Sequence, residues 1–122
     1  PKIKAIIMTA SVSAHNGAEF PEYCASKGGV LAYTKNVALR VAKYGATCNS
    51  ISAGGVITEL NAHILENKSL WDQVMAETLI PKWATVEEMA EWTYFLAVVN
   101  KSMTAQDVLI DNGEIAKANF VW

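Results

Sequence analysis

Apolar residues run almost unbroken through "IKAIIMT", Ile3 to Thr9, and then give way to the small polar residues of "SVS". A short continuous run of this kind predicts a strand buried on both faces, as in a parallel sheet. "SVSAHNGAEFP" reads as a loop, with Asn16-Gly17 as a turn signal and Pro21 as a helix opener. From Glu22 to Tyr44 the period becomes helical. Val30, Leu31, Tyr33, Val37, Ala38 and Val41 recur at helical spacings, and Gly45 stands where a helix C-cap favours glycine.

"ATCNSIS" predicts a second strand and "AGGVITEL" its exit, where Gly54 and Gly55 free the backbone to turn sharply or to approach a ligand closely. Asn61 to Leu79 is a mixed segment, helical in "LWDQVMAETL", and reads as a lid. Thr85 with Glu88 three residues on forms a capping box before the amphipathic run "TVEEMAEWTYFLAVV", and "QDVLIDNG" supplies a third strand and a turn. Strand, helix, strand, helices, strand implies crossovers and a parallel sheet, so the class is α/β. With 122 residues, no repeat and no linker, residues 1–122 read as a single domain.

Composition narrows the partners. Ten basic and twelve acidic residues give a net charge of -2, without the electropositive footprint of a nucleic-acid binder, and the basic positions Lys27, Lys35, Arg40 and Lys43 read as a solvated helix face. No apolar run reaches the roughly 18 residues of a membrane span, and the N-terminal run is too short for a secretory signal. Cys24 and Cys48 have no metal-ligand spacing and no second pair, which predicts small buried fillers in a reducing, cytoplasmic setting. His15 and His63 lack partners at ligand spacing, so no metal is expected. Trp83 and Trp92 are expected chiefly in the core, with Trp83 also a candidate, beside Asn61, His63 and Trp71, for the lining of a pocket.

The chemistry concentrates in "EYCASKGG", Glu22 to Gly29. Four residues apart on a helix, Tyr23 and Lys27 share a face, and an ammonium beside a phenol favours its ionised form, which suits a proton-transfer role. The pair alone is a weak signal. Ser11 and Ser13 at the end of the preceding strand, and the glycine-rich exit of the next, strengthen it, because both fall at the strand edge where open α/β sheets bind ligands.

Taken together, "AIIMTASVS", "YCASKGGVLAYTKNVALRVAKYGATCNSIS", "AGGVITEL", "WATVEEMAEWTYFLA" and "MTAQDVLIDNG" resemble the short-chain dehydrogenases/reductases along essentially the whole chain. The resemblance implies hydride transfer between NAD or NADP and an alcohol or carbonyl carbon. Tyr23 would be the acid/base and Lys27 the group that holds the nicotinamide ribose and assists the tyrosine. Ser11 would hydrogen-bond the substrate oxygen, with Ser13 as second choice. Gly54, Gly55, Val56 and Thr58 would meet the cofactor, the last two at its carboxamide. Asn61, His63 and Trp71 fall in the variable lid and are expected at the substrate, an alcohol or ketone that could be a sugar or polyol. Gly28-Gly29 would sit in a dimer contact of a homodimer or homotetramer built on helix 22–44, and "NFVW" could dock on a neighbouring subunit.

Three positions depart from the family pattern: Ala53 where proline is usual, and Ala105 and Asn112 where glycine is usual. No G-x-G-x-x-G stretch is present in these 122 residues. The expectation is therefore the C-terminal half of a Rossmann-like doubly wound parallel sheet, three strands with flanking helices, without the N-terminal cofactor-binding half. Such a half by itself is expected to be inactive and either unstable or paired with other chain. The alternative is a non-catalytic truncated relative that serves as an oligomerisation or interaction module.

Overall fold

A computed structural model describes residues 4–118 of the chain. Among these, β1 (Ala5–Thr9), β2 (Thr47–Ala53) and β3 (Asp107–Ile110) form a parallel sheet in the order β1-β2-β3. Ala5 pairs with Thr47 and Thr9 with Ile51, while Ser50 pairs with Asp107 and Ala53 with Ile110. Helix α1 (Ser13–Asn16) and α2 (Pro21–Val41) connect β1 to β2; α3 (Ala62–Leu65), α4 (Lys68–Met75) and α5 (Val86–Tyr94) lie between β2 and β3. No helix here is long and apolar enough to cross a membrane.

The long helix begins as its sequence dictates, with Pro21 in the first turn, where its missing N–H is not needed. It ends in a 3-10 turn over Ala42–Tyr44, and Gly45 closes it in the left-handed conformation at φ 69°. Thr34 and Ala38, four apart, are its buried positions, and α2 packs on β2 and β1 through this face. Thr85 caps α5, its Oγ1 accepting the Glu88 N–H at 3.1 Å. The Glu88 carboxylate meets Lys82 Nζ at 2.8 Å, which holds its pKa below the usual range. After Tyr94 the helix widens into a π-helical turn, Phe95–Val99, where Leu96 is buried.

Burial departs from the hydropathy reading in three places. β1 is half exposed rather than buried on both faces, with Ile6 at 38%. It has a strand neighbour on one side among the described residues, and an edge strand lacks the cover a central strand receives. The strand buried throughout its centre is the more polar β2, from Cys48 to Ser52. Trp92 is exposed on α5, set edge-on against Phe95, because the sheet is reached by the π-helical turn that follows. Cys24, expected as buried filler, is half-buried, since its Sγ turns back to the Glu19 carbonyl at 3.4 Å; Cys48 is buried, and both thiols are free. The expected start of the first strand at Ile3 and the tail at 119–122 lie outside the described residues.

The polar centre of β2 is fully partnered. Asp107 of β3 accepts the hydroxyls of Ser50 at 2.6 Å and Ser52 at 2.9 Å, and its second oxygen meets His15 Nε2 at 2.7 Å. Asn49 donates to the Met103 carbonyl and accepts the Gln106 N–H, at 3.0 and 3.1 Å. His15 thus finds a carboxylate 92 residues away, and the contact ties α1 to β3 across the middle strand.

Candidate active site

β1 does not stop cleanly at Thr9. The Ala10 N–H bonds the Ile51 carbonyl at 2.8 Å and the Val12 N–H the Ala53 carbonyl at 3.0 Å, so the backbone keeps step with β2 past the strand end. Ser11 is held between these two bonds and buried, its Oγ accepting the Ser13 N–H at 3.1 Å. This is the serine turn that such a side chain forms locally. Ser13 opens α1 and is buried as well.

A cleft of about 580 Å³ lies over this strand end. Ser11, Ser13, Tyr23, Gly54, Gly55, Val56 and Asn61 all line it. Tyr23 reaches it from the first turn of α2, half-exposed, and Lys27 stands one turn on with Nζ 5.7 Å from the centre of the phenol ring. The Lys27 ammonium donates to the Thr9 carbonyl at 3.1 Å, which fixes the long side chain beside the end of β1. Two of its three N–H groups remain for other acceptors.

Gly54 and Gly55 keep negative φ, so their value is close approach. A Cβ on Gly55 would lie 2.1 Å from the Trp83 ring, and one on Gly54 would lie 2.9 Å from the Asp111 backbone and 3.3 Å from Glu114 Oε2. The exit strand is pinned from the other side too: Ala84 donates to the Gly55 carbonyl at 3.1 Å and accepts the Ile57 N–H at 2.9 Å. Asn61 braces the same turn, donating to the Val56 carbonyl at 2.8 Å and to Thr58 Oγ1 at 3.3 Å. Thr58 lies just outside the cleft, beside a shallower apolar one.

The lid residues separate. Asn61 lines the cleft, His63 is exposed away from it, and Trp71 packs edge-on behind Trp83 at 5.4 Å between centroids. Of the tryptophans, Trp83 lines the cleft. Phe20, Glu19, Glu77, Thr78 and Glu114 also line it, and none carried a signal in the sequence, since they reach the cleft from three separate connections. The Glu114 carboxyl is pushed up by burial, and further by the charges of Glu77, Asp111 and Glu19. Asp111 itself is buried and folds the turn after β3, accepting the N–H groups of Gly113 and Ile115 at 2.9 Å each.

Comparison with known proteins places this geometry. A family profile described as enoyl-(acyl carrier protein) reductase matches residues 2–114, and the chain belongs to the short-chain dehydrogenase/reductase family. It is 28% identical over 110 residues to an L-rhamnose 1-dehydrogenase (NADP(+)) of Thermoplasma acidophilum, covering 88% of this chain and 43% of that protein. It is 32% identical over 111 residues to a 3-oxoacyl-(acyl-carrier-protein) reductase of Chlamydia pneumoniae, covering 88% and 44%. A solved gluconate 5-dehydrogenase of Burkholderia cenocepacia, in complex with NADP and tartrate, superimposes with a TM-score of 0.84 at 27% identity, covering 93% of this chain and 46% of that one. The chain therefore spans less than half the length of these relatives.

Proposed function

We propose that the chain supplies the catalytic and substrate-binding half of an NAD- or NADP-dependent oxidoreductase acting on an alcohol or its carbonyl counterpart. The observation that carries this reading is the convergence of Ser11 and Tyr23 on one cleft, with Lys27 anchored beside the phenol. The residues present suit the nicotinamide end of a dinucleotide. Lys27 keeps two N–H donors for ribose hydroxyls, and Gly54 and Gly55 leave the strand exit without side chains. The Val56 N–H has no partner among the described residues, and Thr58 adds a hydroxyl beside it. Bound there, NAD or NADP supplies the hydride acceptor for oxidation or the donor for reduction.

In the oxidation direction, Tyr23 as phenolate takes the proton from the substrate hydroxyl while the carbinol carbon loses its hydrogen with the bonding pair, leaving a carbonyl. The Ser11 hydroxyl donates to the same oxygen and holds it within reach of the phenol. Lys27 places a positive charge beside Tyr23, offsetting the negative charge of the phenolate before it takes the proton. In reduction Tyr23 returns the proton to the developing alkoxide. Donors aimed at the atom where charge changes are the most effective form of stabilisation.

Replacing Tyr23 with Phe keeps the ring and removes the proton. Turnover in the full protein is expected to fall by about a hundred- to ten-thousand-fold, the usual range for general acid–base catalysis, while dinucleotide affinity is retained. Steady-state kinetics beside fluorescence titration with NADH or NADPH measure both, and retained turnover refutes the assignment.

The sugar- or polyol-type substrate, the cytoplasmic setting and self-association belong to the same proposal. Two free thiols fit a reducing compartment. Tyr33, Leu39 and Tyr44 are exposed along α2 and the turn after it, and a Cβ at Gly28 or Gly29 would meet nothing within 4 Å. Exposed apolar side chains beside unobstructed glycines on α2 suit a second copy of the chain.

A further inference from the structure

Among the residues of the cleft, the side chains that carry a full charge are all carboxylates: Glu19, Glu77 and Glu114. They come from three separate parts of the chain, before α2, after α4 and after β3. Ion pairs among the described residues join His15 to Asp107, Lys68 to Asp72 and Lys82 to Glu88, so none neutralises these three. Two ammonium groups stand nearby but outside the lining: Lys27 donates to the Thr9 carbonyl, and Lys117 to the carbonyls of Ala76 and Thr78, while the three carboxylates line the cleft directly. Glu114 sits directly over the strand exit, its Oε2 3.3 Å from where a Gly54 side chain would begin.

A second feature lies in the same cleft. Ser13 is only 4% exposed and lines the cleft, and its hydroxyl has no hydrogen-bond partner among the described residues. With no buried side-chain polar atom left unsatisfied among those residues, this hydroxyl meets the open cleft, where its donor and acceptor are free for a polar occupant. Trp83 adds a flat apolar wall, and Asn61 an amide. Carboxylates that can only accept, an aromatic wall and a free hydroxyl together match a chain of hydroxyl groups.

We propose that Glu19, Glu77 and Glu114 act as a charge filter, so that the cleft takes an uncharged or cationic polyhydroxy alcohol and rejects carboxylate- and phosphate-bearing ones. The proposal rests on the oxidoreductase reading and narrows its substrate. A ligand carboxylate would join three like charges, of which Glu114 is partly buried and Glu19 and Glu77 are exposed, whereas hydroxyls donate to them and an ammonium neutralises one. The Glu114 carboxyl is pushed up first by burial and then by the charges of Glu77, Asp111 and Glu19, so the neighbouring carboxylates are felt within the protein as well. The filter also separates this cleft from what the name gluconate 5-dehydrogenase implies of that structural neighbour, whose substrate is an anion.

Sorbitol, gluconate and glucamine share a polyhydroxy chain and differ at one end, which is neutral, anionic or cationic. Calorimetric titration of the full protein with each, in the presence of NAD or NADP at pH 7.5 and low salt, reads the filter without turnover. Sorbitol and glucamine are expected to bind on the order of tenfold or more tighter than gluconate, the scale of like-charge repulsion at a few ångströms in a partly solvated site. In a Glu77→Gln, Glu114→Gln double variant the ratio is expected to collapse towards one. If that variant does not fold, the exposed Glu19→Gln variant is expected to lower the ratio by a smaller factor. Gluconate binding as well as sorbitol, a ratio unmoved in a folded variant, or no binding of sorbitol and glucamine at millimolar concentration overturns the filter. Turnover retained by Tyr23→Phe would instead overturn the oxidoreductase reading, so the two failures are distinguishable.

Discussion

β1 and β2 lie side by side in register, yet their compositions and surroundings run in opposite directions. β1 reads AIIMT and leaves its side chains half exposed; β2 reads TCNSISA and is buried from Cys48 to Ser52. Position in the sheet decides this, not hydropathy. A central strand is covered on both edges and both faces, and it tolerates Asn49, Ser50 and Ser52 because Asp107, Met103 and Gln106 satisfy every polar atom. An edge strand can be as apolar as its sequence allows and still meet solvent. Polar groups in the middle strand are therefore structural commitments, and apolar groups on the edge strand are an opening to whatever pairs there.

The largest effect is expected at Asn49, which is 1% exposed. Asn49→Ala removes the acceptor of the Gln106 N–H and the donor to Met103, and the orphaned, part-buried N–H together with the lost bonds costs about 1–3 kcal/mol. Because Asn100 also donates to the Met103 carbonyl, at 2.8 Å, the loss falls on the Gln106 side. Urea unfolding should show the upper end of that range. A loss below about 0.5 kcal/mol, the level of an ordinary surface substitution, would mean that the polar centre of β2 is not what holds β3.

Ala105 sharpens the same comparison from the turn that leads into β3. It adopts φ 61°, a left-handed conformation that costs a residue with a Cβ about 1–2 kcal/mol, while its N–H holds the Cys48 carbonyl of β2 at 2.8 Å. Ala105→Gly relieves the strain but gains freedom in the unfolded chain, worth about 0.5–1 kcal/mol in the other direction. A net stabilisation of about 0.5–1 kcal/mol is expected in the same urea titration. Destabilisation would show that the turn is held by something other than backbone geometry.

Local features were legible from the sequence wherever one segment sufficed. The long helix with its Pro21 start and Gly45 stop, the Thr85 cap, the placement of Tyr23 and Lys27 on one face, and the parallel α/β class all follow from spacing. The departures at Ala105 and Asn112 were also visible, and both positions take positive φ, which explains why glycine suits them. What a segment meets across the fold was not legible. His15 gave no sign of Asp107, and Glu19, Glu77 and Glu114 are unremarkable in three unrelated loops until the sheet brings them to one cleft. The apolar run of β1 alone suggested burial on both faces, whereas the exposed edge and faces expected of a half sheet agree with its half-exposure, because an apolar run specifies a strand but not its neighbours.

The smallest expected effect is the one that tests the edge. Ile6 is 38% exposed, and Ile6→Thr keeps β-branching while replacing a hydrophobic end with a hydroxyl that water can satisfy. If the β1 face is open in the protein, the substitution costs only about 0.5 kcal/mol, the level of a surface change, and light scattering should show less association at a given concentration. If it instead costs as much as Asn49→Ala, the face is covered, and the contrast between the two strands holds within these residues but not in the assembled protein. The expected outcome is a small loss in the isolated chain. A larger loss, in these residues or in a longer chain that carries them, would show that the face bearing Ile6 is covered.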